Sequence, residues 1–128
     1  MLYAKSAIRK TESEGGKRMT IKERTRIYEK YDSRCAYCGN IITIKEMQVD
    51  HMCSKKHGGT DDVNNLMPSC RRCNHYKRAY DLEGFRSVMK TLGHRIKQNY
   101  INKVAIDYGI IVLYEWDGEF YFEWRERI

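Results

Sequence analysis

The chain has 128 residues, 24 Lys and Arg against 17 Asp and Glu for a formal net charge of +7, and 41% hydrophobic and 12% aromatic residues. That is the length of one ordinary domain, with too many large apolar side chains for a wholly disordered protein. No run approaches the roughly 18 to 20 apolar residues of a membrane span, and the basic residues of Met1 to Lys10 have no apolar stretch behind them. Membrane and secretory readings therefore drop out, and a cytoplasmic setting is expected. The charge is uneven: residues 1–106 hold 22 Lys and Arg against 11 Asp and Glu, whereas residues 107–128 hold 2 against 6. The front of the chain suits a polyanion such as nucleic acid, and the acidic tail reads most simply as solvated surface.

Residues 1–19 contain Glu14-Gly15-Gly16 and few large apolar groups, which predicts a basic, mobile arm dispensable for chemistry. Thr20-Ile21-Lys22-Glu23 has the form of a capping box and predicts a helix from Ile21 to about Tyr31, with Ile21, Ile27, Tyr28 and Tyr31 inward. Cys35-Ala36-Tyr37-Cys38 follows, and Cys70-Arg71-Arg72-Cys73 repeats its spacing. Without a secretion signal these are better read as thiolate ligands than as disulfides. Two such knuckles make a closed tetrahedral site, which is the structural kind of zinc site. Cys53 is left over and reads as a small buried side chain.

Between the knuckles lie 31 residues, more than the roughly 15 to 20 of a compact zinc ribbon, so something is inserted there. Val49 and Leu66-Met67 suit two short strands, Gly58-Gly59 a wide turn, and Pro68 confines the second strand to an edge or end. Arg71 to Leu82 reads as a helix that starts inside the second knuckle and carries Asn74, Lys77 and Arg78. Asp81 can cap a further helix with Leu82, Phe85, Met89, Leu92 and Ile96 on one face, bent or ended by Gly93. A second amphipathic stretch passes through Tyr100, Val104 and Tyr108, and both stripes read as core. Ile110 to Trp116 and Glu119 to Trp124 flank Asp117-Gly118 and predict a β-hairpin. The acidic charge near its aromatics favours packing or a protein interface over base stacking. The expected organisation is an arm (1–19), a zinc-stapled core (20–80) and a helical extension with a C-terminal hairpin packed on it (81–128).

In chain order, Cys35-x-x-Cys38, Val49-Asp50-His51, Gly58-Gly59-Thr60-Asp61, Asn65-Leu66, Cys70-x-x-Cys73-Asn74 and Lys77 resemble the HNH endonucleases of the four-cysteine zinc type, over about residues 20–80. The resemblance implies an α+β fold, a small ββα-metal module, that hydrolyses DNA phosphodiesters with one divalent cation. It maps the His and Asn of the family name onto His51 and Asn65, and the final His onto Asn74, a departure that still offers an oxygen. Small free-standing members are common in phages beside packaging genes. A phage or infected bacterial cell, and a packaging partner such as terminase, are implied with them.

Residue chemistry agrees with these assignments. Asp50 and His51 are neighbours on a strand, so their side chains diverge and can do different work. The Asp50 carboxylate and Asn74 amide oxygen are hard ligands suited to Mg²⁺ or Mn²⁺, and the His51 imidazole suits a general base acting on water. Asn65 is expected to fasten the Gly-Gly loop and steady His51, with a plain turn role as the alternative. His75 lies about 100° further round the helix than Asn74 and becomes the ligand if the register moves by one. His57 and His94 read as loop and surface residues. Lys55, Lys56, Arg71, Arg72, Lys77 and Arg78 are the expected DNA contacts, chiefly to backbone phosphates. The rival readings are a zinc-dependent nucleic-acid-binding module without catalysis and an interaction protein that uses its aromatic C-terminus.

Overall fold

The computed structural model describes residues 18–128, so the expected arm lies outside the described residues except for its last two positions. The elements are helix α1 (Ile21–Glu29), strand β1 (Gln48–His51), strand β2 (Leu66–Ser69), and helices α2 (Arg71–Lys77), α3 (Leu82–Lys90), α4 (Leu92–Gln98), α5 (Tyr100–Asp107) and α6 (Tyr121–Arg127). Short 3-10 turns at Lys55–His57 and Val63–Asn65 interrupt the connection between the strands. No helix among the described residues is long and apolar enough to cross a membrane.

Helix α1 starts where its capping box places it. The Glu23 amide donates to Thr20 Oγ1 at 3.1 Å, and the Thr20 amide donates to Glu23 Oε2 at 3.2 Å, so two otherwise unpaired amides are satisfied. Ile27 and Tyr31 are buried, but Ile21 is exposed, because the first turn projects beyond the sheet that the rest of the helix covers. Two basic side chains fasten this helix to backbone carbonyls: Arg24 reaches Ile44 and Met47, and Lys30 reaches Val63 and Leu66.

The strands pair antiparallel, with Gln48 opposite Ser69, Val49 opposite Pro68, Asp50 opposite Met67 and His51 opposite Leu66. The Pro68 carbonyl points away from β1 and accepts the Ala36 amide of the first knuckle at 2.8 Å, so the N–H that Pro68 lacks costs no ladder bond. Helix α2 ends at Lys77 rather than Leu82, because Arg78 turns the chain with φ +52°. Asp81 then caps α3 through the Gly84 amide at 2.7 Å, and Phe85 enters the core.

The C-terminal third departs from expectation in two ways. Tyr100, Val104 and Tyr108 are exposed rather than core, since α5 packs chiefly on α4 and not on the knuckles. The expected C-terminal hairpin is absent from the described residues: 110–120 form no strand, and Tyr121–Arg127 is helical. Asp117-Gly118 does turn the chain, with Gly118 at φ +85° and the Glu119 amide on Asp117 Oδ1. The chain then enters a helix because its first amides find partners. The Tyr121 and Phe122 amides donate to the Tyr37 and Ala36 carbonyls at 3.0 and 2.8 Å, and the Phe120 amide donates to the Glu123 side chain at 3.0 Å. An alternating aromatic run fits either form, and this docking on the first knuckle selects the helix.

Core packing centres on Tyr37, whose ring meets Phe85 and Phe120 edge-on at 5.4 and 5.5 Å. Ile27, Met47, Met67 and Phe122 complete the same buried cluster, so the C-terminal helix and the knuckle share one core. Phe120→Ala is expected to lower the unfolding free energy by about 3–5 kcal/mol in a denaturant titration. A loss under about 1 kcal/mol would mean that this ring does not belong to the common core.

Candidate active site and metal centre

The four knuckle sulfurs, of Cys35, Cys38, Cys70 and Cys73, lie within 4.8 Å of one another and form a site for a metal ion. Cys38 and Cys70 Sγ are 3.8 Å apart. A tetrahedral zinc with bonds of about 2.3 Å has sulfur edges of about 3.8 Å, so the set fits zinc. The Asn40 amide points at Cys38 Sγ and the Cys73 amide at Cys70 Sγ, which favours thiolates. Crowding works the other way: the hydrogen bond with Cys35 pushes the Cys38 thiol up to about 12, and hydrogen bonds with Cys35 and Cys38 push Cys73 up. Several thiolates that close together need a cation among them. Since Cys70 is also the N-cap of α2, the site ties the start of that helix to the first knuckle.

The loop between the strands is fastened by Asn65. Its Nδ2 donates to the Cys53 and Thr60 carbonyls at 2.9 and 2.7 Å, and its Oδ1 accepts the Cys53 amide at 2.9 Å. Gly58 turns with φ +87°, and a Cβ on Gly59 would stand 1.8 Å from the Cys53 carbonyl oxygen. The glycine pair is thus required twice, once for conformation and once for space.

This loop delivers Asp61 to His51. His51 Nε2 lies 2.8 Å from Asp61 Oδ1, and the other Asp61 oxygen pairs with Lys55 Nζ at 2.8 Å. Hydrogen bonds with His51 first and Lys55 second hold the Asp61 carboxyl below the ordinary carboxylate range. It is therefore ionised throughout the neutral range, and the clamp loosens only as pH falls through that lowered value. A carboxylate can only accept, so the neutral imidazole carries its proton on Nε2 and keeps Nδ1 as an acceptor. Sequence reasoning left Asp61 without a role. The signal was its place directly after Gly58-Gly59-Thr60, a loop pinned against the end of β1.

Asp50 is buried on β1, where its Oδ2 accepts from the Tyr37 hydroxyl at 2.5 Å and meets Lys77 Nζ at 3.1 Å. Burial pushes this carboxyl up, against the pull of Lys77 and the Tyr37 hydrogen bond. Burial, followed by Asp50, also pushes the Tyr37 phenol up, so it remains a donor. Lys77, expected at a DNA phosphate, is corrected here. Its side chain is 0% exposed and its ammonium also donates to the His51 carbonyl at 2.8 Å. Asn74 stands half-buried one helical turn before Lys77, on the same side of α2, with no side-chain hydrogen bond among the described residues; His75 is exposed on the next face. Asp50 Oδ1 likewise has no hydrogen bond among the described residues. The Asp50 carboxylate and the Asn74 amide offer hard oxygens of the kind that divalent cations take, with the difference that Lys77 already offsets the Asp50 charge. Lys56, Arg71, Arg72 and Arg78 are exposed, and Lys55 is occupied with Asp61. His57 and His94 are exposed.

Residues 35–79 match the family model described as HNH endonuclease. Over 50 residues the chain is 36% identical to the CRISPR-associated endonuclease Cas9 of Corynebacterium diphtheriae, a stretch that is 38% of this chain and 5% of that protein. The Type II-C Cas9 enzyme from Actinomyces naeslundii matches with 25% identity and a TM-score of 0.48, over 67% of this chain and 9% of its own. The chain spans less than a tenth of the length of either relative. Residues 35–79 thus carry an HNH endonuclease module, the one that the motifs resemble.

Lys77→Met is expected to destabilise the fold by about 3–5 kcal/mol in thermal or chemical denaturation, because it strands a buried carboxylate. Unchanged stability with weakened DNA binding would restore Lys77 to the phosphate-contact set.

Proposed function

We propose that the chain hydrolyses DNA phosphodiester bonds through the HNH module, with His51 taking a proton from the attacking water. The observation that carries this reading is the His51–Asp61 pair, which leaves Nδ1 as an acceptor at the end of β1, beside Asp50. In this mechanism water loses its proton to His51 Nδ1 as its oxygen attacks phosphorus. Asp61 keeps the ring in one tautomer and steadies the imidazolium that forms. Asp50 and Asn74 would hold a divalent cation, Mg²⁺ or Mn²⁺, which would supply charge stabilisation for the phosphate and the leaving oxygen. Asn65 keeps the loop, and through it Asp61, in place. Zinc at the four cysteines is structural. Lys56, Arg71, Arg72 and Arg78 serve the DNA backbone, whose binding then weakens with salt. Reduced thiolate ligands suit a cytoplasmic setting.

The Lys77–Asp50 ion pair favours one other reading, a nucleic-acid-binding module whose carboxylate is no longer free for a cation. Supercoiled plasmid separates the two. With Mg²⁺ or Mn²⁺, conversion to open-circle or linear DNA is expected, reduced about 100-fold or more in His51→Ala. Asp61→Asn is expected to cost about 10-fold or more in rate with zinc content and fold retained. A folded, zinc-loaded chain that shifts DNA without cutting it under any of these conditions would favour the binding module.

A further inference from the structure

We propose that a basic, tyrosine-lined cleft beside the HNH site binds an unpaired stretch of the DNA strand flanking the scissile phosphate. This rests on the nuclease reading and extends it to Tyr80, Thr91 and Arg95, which the family match over 35–79 does not include. The cleft lies between the end of α2, the turn after it and the α3–α4 junction, with a volume of about 570 Å³ and His75, Tyr76, Arg78, Tyr80, Thr91 and Arg95 in its walls. It is large enough for a nucleotide, and no carboxylate among the described residues lines it. His75 directly follows Asn74, so one short helix carries the wall of the cleft and the proposed cation ligand.

The chemistry of the walls is that of a single strand rather than a duplex. Two guanidinium groups, of Arg78 and Arg95, stand with two tyrosine rings that remain 38% and 47% exposed at Tyr76 and Tyr80. Phosphates are met by the cations, and unpaired bases stack on the rings without sequence preference. The pieces are held in place before any ligand arrives. Arg95 donates to the Tyr76 hydroxyl at 3.1 Å and to Thr91 Oγ1 at 3.5 Å. Tyr80 rests over Gly84, where an added Cβ would meet its ring at 3.3 Å, and its amide is tied to the Lys77 carbonyl. Arg78 adopts φ +52° and ψ −129°, a conformation that only glycine enters readily, where the chain leaves α2 at the wall of the cleft. A single strand uses both the cations and the rings, whereas an acidic peptide would use the cations and leave the rings idle.

The test uses the full, zinc-loaded chain carrying His51→Ala, without added Mg²⁺, and follows the fluorescence anisotropy of a labelled 12-nucleotide single strand and of a blunt duplex of that length. Tyr80→Leu is expected to weaken single-strand binding by about 5-fold to 100-fold. Arg95→Gln is expected to weaken it and to reduce the slope of log affinity on log salt by about 0.7. Duplex binding should change less in both variants. Zinc content and near-ultraviolet circular dichroism establish that each variant is folded, and because both positions lie at the surface, either one suffices for the test. Single-strand affinity within about twofold of the parent in the folded variants would overturn the cleft. So would stronger competition by poly-glutamate than by unlabelled single strand. Plasmid cleavage by the parent together with unaffected variants would remove the cleft alone, while single-strand binding through the cleft with no cleavage would remove the nuclease reading alone.

Discussion

A fully buried ammonium group must find oxygens, and among the described residues Lys77 finds them on β1, at the Asp50 carboxylate and the His51 carbonyl. That requirement fixes how α2 lies against the sheet. It sets which oxygen of Asp50 stays without a hydrogen bond among the described residues, and it places Asn74 one turn along the side of the helix that carries Lys77. The four-cysteine site holds the other end of α2 against the first knuckle. A seven-residue helix is too short to be stable from its own backbone bonds, so these two attachments hold it. The pairing also makes Lys77 internal, so that under the proposed function the phosphate contacts come from other basic residues.

The second constraint is the loop between the strands. Gly59 passes so close to the Cys53 carbonyl that no side chain fits, and Asn65 closes the loop with three hydrogen bonds. What this rigidity positions is Asp61, an exposed residue that would otherwise sample many rotamers. A histidine whose Nε2 faces a carboxylate presents a defined base at its other nitrogen, so the loop converts backbone geometry into a choice of tautomer. The C-terminal helix contributes from further away, its amides occupying the Ala36 and Tyr37 carbonyls, so that Tyr37 stays in the core and reaches Asp50.

The parts of the fold legible in the sequence were those marked by a distinctive local pattern. The capping box at Thr20–Glu23, the two matching Cys-x-x-Cys knuckles, the two short strands, the start of α2 and the Asp81 cap are of that kind. The loop-fastening bonds of Asn65 were also readable, because an amide beside a Gly-Gly turn has few other partners. Lys77 was misread because a basic residue among basic residues looks solvated, and nothing local records that its ammonium is buried. The C-terminal hairpin failed for a related reason. Alternation of Phe120 and Phe122 satisfies a strand as well as a helix N-terminus, and the deciding hydrogen bonds come from residues more than 80 positions earlier. The exposure of Tyr100, Val104 and Tyr108 belongs with these, since a helical stripe does not say what it packs against.

At the centre of this account is a single small core with a four-cysteine metal site that ties its elements together and, as proposed, a second, hard site at Asp50 and Asn74 that serves chemistry. The most direct measurement is Mn²⁺ binding followed by electron paramagnetic resonance on protein whose zinc content is determined in parallel. The account predicts one zinc per chain that Mn²⁺ does not displace, and one weaker Mn²⁺ that is lost in Asn74→Ala while the zinc remains. A zinc-loaded chain that binds no Mn²⁺, or an Asn74→Ala variant that binds it as the parent does, would contradict it.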